Sequence, residues 1–406
     1  MTSTQDLAAR LAPELIALRR KIHANPELAL DNPVTQQTIL DELAGLDLEI
    51  TKGRKLSSVV AVLRGTAPGA SGTDRPVVLL RGDMDGLPVV EQTGLDYASE
   101  NGLMHACGHD LHVAGLVGAA KILHELRDQL PGDVVFMFQP GEEGPGGADP
   151  MVREGLLEAA GRRVDAAYAL HVTSAGEAKD MWFGRPGPLM AAADEFFVTV
   201  RGRGGHGSQP HNSLDPVPVA CEIVLAVQTM VTRKFNVFDP VVVTCGMIAA
   251  GSKDNIIPDD ARLEMTVRTF SPDTNAKIKD ELTSVANHVA AAHGMKAEID
   301  YRRGYPVTVN DPDEYRFLTD VVTDLFGADH YTEMPFPEAG SEDFSFVANE
   351  VPSAFIFLSA CTSDDPKTAP DNHSPRAAFD DSVVPDGAAL LAETALRRLQ
   401  KATAER

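Results

Sequence analysis

The chain has 406 residues, of which 43% are hydrophobic and 23% charged, a composition typical of a soluble globular protein large enough for two domains. Its 59 acidic residues against 36 basic ones give a formal net charge of -23, which argues against nucleic acid or an anionic membrane as the main partner. The four cysteines are scattered and residues 1–20 contain no apolar run of the signal-peptide type, so we expect a reduced, cytoplasmic protein.

The early part of the chain predicts alternating helices and strands. A periodic apolar pattern predicts an amphipathic helix over 4–24, and a second helix is expected after Pro33. Short apolar runs of the buried-strand type follow at 76–80, 133–138 and 165–170, and another lies at 353–358. Helical segments separate most of these strands, which indicates an α/β fold with a mainly parallel sheet covered on both faces.

Polar side chains stand at the end of each of these predicted strands. In chain order they are Asp83 and Asp85, then Glu142 and Glu143, then His171, and finally His373 in the loop after the last strand. The ligand crevice of such a sheet lies outside the carboxyl ends of its strands. We therefore expect these carboxylates and imidazoles to converge at one edge of the sheet.

A cluster of potential metal ligands lies between the first two strands. Residues 104–112 read Met-His-Ala-Cys-Gly-His-Asp-Leu-His and open a predicted helix. Gly108 separates Cys107 from His109, and a tight glycine turn can direct both side chains at one point. Thiolate and imidazole bind zinc and similar metals. The cluster therefore predicts a metal site, and the alternative is a buried cysteine among ordinary polar histidines.

Glu142 and Glu143 are adjacent residues after a predicted strand. Successive side chains of an extended chain point to opposite sides, so one glutamate can coordinate metal while the other faces the substrate. A metal-dependent hydrolase needs both roles, because a carboxylate must take the proton of the attacking water and pass it to the leaving amine. The alternative is a pair of solvated loop acids.

The middle of the chain has a different pattern of elements. Strands are predicted at 195–203, 241–250, 261–270 and 295–301, and helices at 215–234 and 272–293. The order β-α-β-β-α-β is that of the split βαβ, ferredoxin-like unit. Because the fourth strand and His373 come after it, we expect an insertion. The predicted boundaries are 1–187 and 301–406 for a discontinuous catalytic domain and 188–300 for the inserted domain.

Four motifs resemble those of the M20 metallopeptidase family. They are Met-His-Ala-Cys-Gly-His-Asp, Gln-Pro-Gly-Glu-Glu-Gly, Gly-Gly-His-Gly-Ser-Gln-Pro-His at 204–211, and Gly-Ser-Glu-Asp-Phe at 340–344. Their order matches the family along nearly the whole chain. The branch that the sequence resembles most is the amidohydrolase subfamily of N-acyl-amino-acid, hippurate and auxin-conjugate hydrolases. The resemblance implies a catalytic domain of the zinc-peptidase type with an inserted ferredoxin-like α+β lid domain.

The resemblance also implies a role for each candidate residue. The positions that match family metal ligands are Cys107, His109, Glu143, His171 and His373. Glu142 matches the general base, and Asp85 matches the acid that orients a ligand or a neighbouring group. His206 matches a lid histidine that stabilises the oxyanion, often across a dimer. Asn255 and Arg268 match lid positions for the amide and carboxylate of the substrate, although a surface ion pair is the alternative for Arg268.

The implied activity is hydrolysis of the amide bond of an N-acyl amino acid, or of a short peptide, by a homodimer joined through the lid. Two divalent cations per subunit are expected, with manganese, zinc, nickel and cobalt left open. The alternatives are an M20-type dipeptidase or carboxypeptidase, an enzyme in which Cys107 is a nucleophile, and a metal-binding homologue without activity. The nucleophile hypothesis leaves the glutamate pair and two histidines without a role.

Overall fold

The structure is a computed structural model that describes residues 3–67 and 75–405. It divides into two compact units. The first comprises Met1–Gly187, Val309–Pro335 and Phe346–Arg406, and the second comprises Pro188–Thr308 and Phe336–Ser345. The chain thus leaves the first unit, builds most of the second, and returns twice.

The helices of the described residues, α1 to α9 in chain order, are Thr4–His23, Pro33–Leu43, His109–Glu125, Ala148–Arg153, Pro216–Lys234, Pro272–Ala292, Pro312–Phe326, Ser345–Ala348 and Val384–Ala404. The strands, β1 to β16, are Glu49–Lys52, Val59–Arg64, Val77–Asp83, Asp133–Gln139, Ala166–Thr173, Trp182–Gly184, Gly187–Met190, Ala192–Arg201, Gly205–His206, Val241–Ala250, Ile256–Ile257, Asp260–Thr269, Lys296–Tyr305, Thr308–Asn310, Tyr331–Glu333 and Ser353–Ser359. Within 3–67 and 75–405, no helix combines the length and apolar character needed to cross a membrane.

The first unit is built on an eight-stranded sheet in the order β1-β2-β4-β3-β5-β16-β6-β15. The four central strands, β4, β3, β5 and β16, run parallel. The pairs β1–β2, β2–β4 and β16–β6 are antiparallel. The expected mainly parallel sheet is therefore a mixed sheet with a parallel centre. The six residues 53–58 between β1 and β2 explain one antiparallel pair, because a parallel crossover needs a dozen or more residues.

The central strands are buried at every position of β3 and β4, which is expected of a sheet covered on both faces. Helix α3 packs against α1 and α9, and α9 also contacts β3 and β5. Large apolar side chains such as Leu15, Phe136 and Leu391 belong to this core. This rigid layer holds the ends of the central strands in fixed positions.

Strands β3 and β5 stop pairing before either strand ends. Strand β3 pairs with β4 as far as Asp83 and Gln139. It pairs with β5 only up to Arg81 and Ala169, although β5 continues to Thr173. Such points at the carboxyl ends of parallel strands are where α/β sheets bind ligands.

The second unit contains a four-stranded antiparallel sheet in the order β10-β12-β8-β13. Helices α5 and α6 pack on it, so the main elements run strand, helix, strand, strand, helix, strand. Its own core includes Phe196, Ile223, Leu263 and Leu282. A two-residue ribbon, β9 with β11, lies outside this sheet. Strand β10 is an edge strand.

Candidate metal centre

The loop before α3 is shaped by glycine. Gly108 is the N-cap of α3 and has a φ of 82°, in the left-handed region. A Cβ atom at this position would collide with the side chain of Val172. His109 is the first residue of the helix. The turn therefore directs Cys107 and His109 to the same side, as the sequence predicted.

Cys107, His109 and His171 form what we call the first donor group. One ligand atom from each residue lies within 4.8 Å of the other two, and all three residues are buried. Cys107 Sγ lies 3.4 Å from His171 Nε2. His171 Nδ1–H donates to the carbonyl of Val172 at 2.8 Å, and His109 Nδ1–H donates to the carbonyl of Asp85 at 2.9 Å. Both rings therefore leave Nε2 as the atom available to a metal.

Cys107, Glu143 and His373 form the second donor group. His373 Nε2 lies 3.3 Å from Cys107 Sγ and 3.2 Å from Glu143 Oε1. His373 has a φ of 70°, which is uncommon outside glycine and marks a locally constrained backbone. The backbone N–H of His373 donates to the carbonyl of Ala106 at 2.8 Å, so the loop that carries Cys107 also anchors His373. The sulfur of Cys107 is common to both donor groups.

One buried atom of the first donor group tests whether a metal ion fits the site. His109 Nε2 has no hydrogen-bond partner among the described residues. Leaving a buried polar atom unsatisfied costs about 1–3 kcal/mol, and a cation would remove that cost. Sulfur, imidazole nitrogen and carboxylate oxygen together suit transition metals of the zinc, cobalt, nickel and manganese class. The first unit therefore contains clusters that can bind metal.

Asp85 connects the donor groups to the glutamate pair. Its carboxylate accepts hydrogen bonds from the backbone N–H of Glu142 at 2.9 Å and of Glu143 at 3.1 Å. Its own carbonyl orients His109. A carboxylate oxygen from each glutamate lies within 4.8 Å of a ring nitrogen of His109. Asp85 thus fixes the loop that carries both glutamates beside the first donor group.

Burial and neighbouring charges shift the pKa values of the donors in opposite directions. Burial, reinforced by the nearby His112 ring, lowers the pKa of His171 well below its usual value. Hydrogen bonds with Cys107 and Glu143 raise the pKa of His373 to about 10. Burial opposes the charged form of Glu143, but the hydrogen bond with His373 and the charges of His109 and His373 together outweigh burial and lower its pKa. Protons and a cation would therefore compete for the same atoms.

Three polar residues around the donor groups were not predicted as ligands or catalytic residues. For Asp83 the sequence predicted only a position at this edge of the sheet, and for His112 it left a supporting role and plain packing equally open. Asp83 ends β3, and its carboxylate accepts a hydrogen bond from His112. Asn372 donates to the carbonyl of Val172 at 3.1 Å. The available signals were weak: Asp83 shares a motif with Asp85, His112 lies one helical turn after a ligand candidate, and Asn372 precedes one.

The remaining candidates lie in the second unit. His206 on β9 pairs with Ile256 on β11, and Gly207 N–H donates to the carbonyl of Asn255 at 2.9 Å. A Cβ atom on Gly207 would come within 3.0 Å of the Asn255 backbone, so glycine permits this close approach. His206 and Asn255 are thus brought together, and both are exposed. Arg268 lies on a different strand, β12, and is half-buried.

Comparison with known proteins identifies the family. Residues 79–397 match the description "Peptidase family M20/M25/M40". The chain belongs to this family. The predicted membership is therefore confirmed, and with it the enzyme class, a metallo-amidohydrolase.

Three related proteins are similar along nearly the whole chain. Thermostable carboxypeptidase 2 of Saccharolobus solfataricus is 36% identical over 386 residues, covering 93% of this chain and 94% of the relative. N-acetyl-L-cysteine deacetylase of Bacillus subtilis is 35% identical over 398 residues, covering 96% and 89%. The crystal structure of the Bacillus subtilis YXEP protein, described as a dinuclear metal binding peptidase from the M20 family, matches with a TM-score of 0.82, 29% identity, and coverage of 97% and 99%.

Proposed function

We propose that this protein hydrolyses the amide bond of N-acyl amino acids in a metal-dependent reaction with Glu142 as general base. The observation that supports this proposal most is the pair of donor groups that share Cys107 Sγ, with a buried glutamate beside them. A relative named N-acetyl-L-cysteine deacetylase agrees with this substrate class. A relative named as a carboxypeptidase favours a second candidate, hydrolysis of short peptides at the carboxyl end.

Each donor group would hold one divalent cation. When bound, the two cations would lower the pKa of a water molecule and polarise the carbonyl of the scissile amide. Glu142 would take the proton of that water and deliver it to the leaving amine. Its burial keeps competing water away, and the bond from its N–H to Asp85 sets its position. Asp85 is therefore proposed to act by positioning.

The second unit is proposed to act as a lid that supplies contacts to the substrate. His206 would donate a hydrogen bond to the carbonyl oxygen as negative charge develops there. Ser208 N–H lies 3.2 Å from His206 Nδ1 and its hydroxyl lies 2.9 Å away, which leaves the proton of a neutral ring on Nε2. Asn255 would bind the amide, and Arg268 the carboxylate that an amino acid product carries.

A homodimer formed through the second unit is part of this proposal. Strand β10 is an edge strand, and its Val242, Met247 and Ile248 side chains are exposed. Leu225 of α5, a helix that packs on β10, is 69% exposed. An exposed apolar edge strand is a ready surface for pairing with a second copy.

The four unpaired cysteines suit a reducing, cytoplasmic location.

The reaction can be tested with metal-free protein reloaded with manganese, zinc, nickel or cobalt and supplied with a panel of N-acyl amino acids and dipeptides. We expect amide cleavage that a chelator abolishes and metal restores. Faster cleavage of peptides than of acyl amino acids would favour the peptidase. Activity that resists chelators but not thiol alkylation would favour a Cys107 nucleophile. Tight metal binding without turnover would indicate an inactive homologue.

The dimer can be tested by mixing two inactive proteins, Glu142→Gln and His206→Ala. If His206 acts on the partner's site, each mixed dimer contains one intact composite site, and activity should partly recover. The matched control pairs the Glu142→Gln protein with a Glu142→Gln/His206→Ala double variant, which offers no intact site. Verified mixed dimers without recovery would contradict action across the dimer.

A further inference from the structure

The last residues of β5 lack a strand neighbour on the side of β3. Strand β3 pairs with β5 only between Val78–Ala166 and Arg81–Ala169. On its other side β5 stays paired with β16 up to Thr173. A buried backbone N–H that loses its ladder partner needs another acceptor. At this point in the sheet the acceptor is a side chain.

His112 of α3 supplies that acceptor. Val172 N–H donates to His112 Nε2 at 2.8 Å, and His112 Nδ1–H donates to Asp83 Oδ1 at 2.5 Å. Asp83 Oδ2 lies 2.7 Å from Arg81 Nη1. All three side chains in this path are almost completely buried. Because an amide can only donate, the proton of His112 is fixed on Nδ1.

The path ends on a candidate metal ligand. The carbonyl of Val172 accepts a hydrogen bond from His171 Nδ1–H, and this bond turns His171 Nε2 toward Cys107 Sγ. His112 holds the N–H of the same residue, Val172, whose carbonyl sets the ring of His171. A displacement of Val172 would therefore rotate His171 and also change which nitrogen carries its proton.

We infer that Asp83 and His112 are positioning residues that hold His171 in the first donor group. This inference rests on the proposed metal-dependent function. Partners of this kind are worth about 10–100-fold in metal affinity. His112 takes the place of a missing strand neighbour, since its Nε2 accepts the hydrogen bond of Val172 N–H where β3 no longer pairs with β5.

A third metal site is the competing explanation, because ligand atoms of Asp83, His109 and His112 also lie within 4.8 Å of one another. The hydrogen bonds argue against it. Both ring nitrogens of His112 are engaged, one with Asp83 and one with Val172. The second oxygen of Asp83 is paired with Arg81. A cation would have to break these bonds.

Two substitutions at His112 separate its two hydrogen bonds. His112→Gln places an amide oxygen near the position of Nε2 and can still accept from Val172 N–H. His112→Asn places an amide N–H near the position of Nδ1, so it keeps the bond with Asp83 and leaves Val172 N–H without its acceptor. His105→Asn is the matched control. His105 is buried in the same loop, and neither of its ring nitrogens has a hydrogen-bond partner among the described residues.

The measurement is titration of metal-free protein with Co²⁺, followed by the thiolate-to-cobalt absorption and by the number of ions bound. We expect one of the two ions to bind His112→Asn about 10–100-fold more weakly than wild type. The other ion should bind as in wild type, and His112→Gln and His105→Asn should retain affinity for both. This selective loss is a readout that a general loss of stability would not produce.

Two results would overturn the inference. One is wild-type cobalt affinity in His112→Asn, and the other is an equal loss in all three variants, which would indicate packing alone. In both cases a wild-type protein that binds two cobalt ions and cleaves acyl amino acids would leave the proposed function intact. A wild-type protein that binds no cobalt would overturn the metal-dependent function and this inference with it.

Discussion

The first donor group and the pair of His206 and Asn255 in the second unit present their side chains in opposite ways. In the first unit, Cys107, His109 and His171 are buried, and each ring is fixed by a bond to a backbone carbonyl. In the second unit, His206 lies on a ribbon of two short strands, Asn255 directly precedes one of these strands, and both residues are exposed. Buried donors keep one geometry before any ligand arrives, whereas exposed donors depend on what they meet. The first set suits a resident ion, and the second suits a substrate that comes and goes.

The largest effect is expected from substitutions of Glu142 and Glu143, which distinguish proton transfer from metal binding. Glu142→Gln should keep its metal and lose about 10²–10⁴-fold in turnover, because a positioned base is removed without removing a ligand. Glu143→Gln is the matched variant, and it should lose metal from the second donor group. Metal analysis of both purified proteins beside their kinetics tests this. A Glu142→Gln protein that loses its metal, or remains near normal in activity, would break the assignment.

The next effect concerns the exposed set. His206→Ala should lower kcat by about 10²–10³-fold with little change in KM, because an oxyanion donor acts mainly in the transition state. Steady-state kinetics on the best acyl amino acid measures both constants.

Ser208→Ala gives a graded control for His206. It removes the hydroxyl 2.9 Å from Nδ1 but keeps the backbone N–H near the same atom. The loss of transition-state stabilisation, measured from kcat, should therefore be that of one hydrogen bond, about 0.5–1.5 kcal/mol. A fully active His206→Ala protein would contradict the proposed role of His206 as an oxyanion donor.

The last expected effect is on stability, not on activity, and concerns His23, which contacts Asp110 next to the ligand candidate His109. The His23 ring is buried, with Nδ1 2.9 Å from Asp110 Oδ2 and Nε2 3.2 Å from Glu91 Oε1. Burial opposes its charge, but Asp110 and the hydrogen bond with Glu91 together outweigh burial and raise the pKa of His23 to about 9. The contribution of charged His23 to the free energy of unfolding is complete below about pH 6.5, the pKa of histidine in the unfolded chain. It is lost as the pH rises through about 9, the pKa in the folded protein.

Urea unfolding of metal-free protein between pH 6 and about 9.5 would measure this loss. The single tryptophan, Trp182, is buried in the first unit and reports its unfolding. Across this pH interval, the free energy of unfolding of the wild type should fall by up to about 3 kcal/mol more than that of His23→Gln. Parallel profiles for the two proteins would show that His23 does not stabilise the loop in its charged form.

Much of this arrangement could be predicted from local sequence. The strand at 133–138 and the glycine turn before His109 are visible in neighbouring residues, and they correspond to β4 and the N-cap of α3. Strands β1 and β2 were not predicted at all, and their antiparallel pairing could not be, because strand pairing depends on residues that are distant in sequence. The bond between His112 and Val172 was not predictable either, since it exists only because β3 stops pairing early.

The discontinuity of the first unit affects when the site can be completed during synthesis. Cys107, His109, Glu143 and His171 precede the second unit in the chain, whereas His373 follows all of it. At translation rates of about 5–20 residues per second, roughly 10–40 seconds separate the emergence of His171 from that of His373. The strand and helix that pack against β5 and α3, namely β16 and α9, are synthesised after the second unit as well. Neither donor group can therefore be held in place until the chain has returned from the second unit.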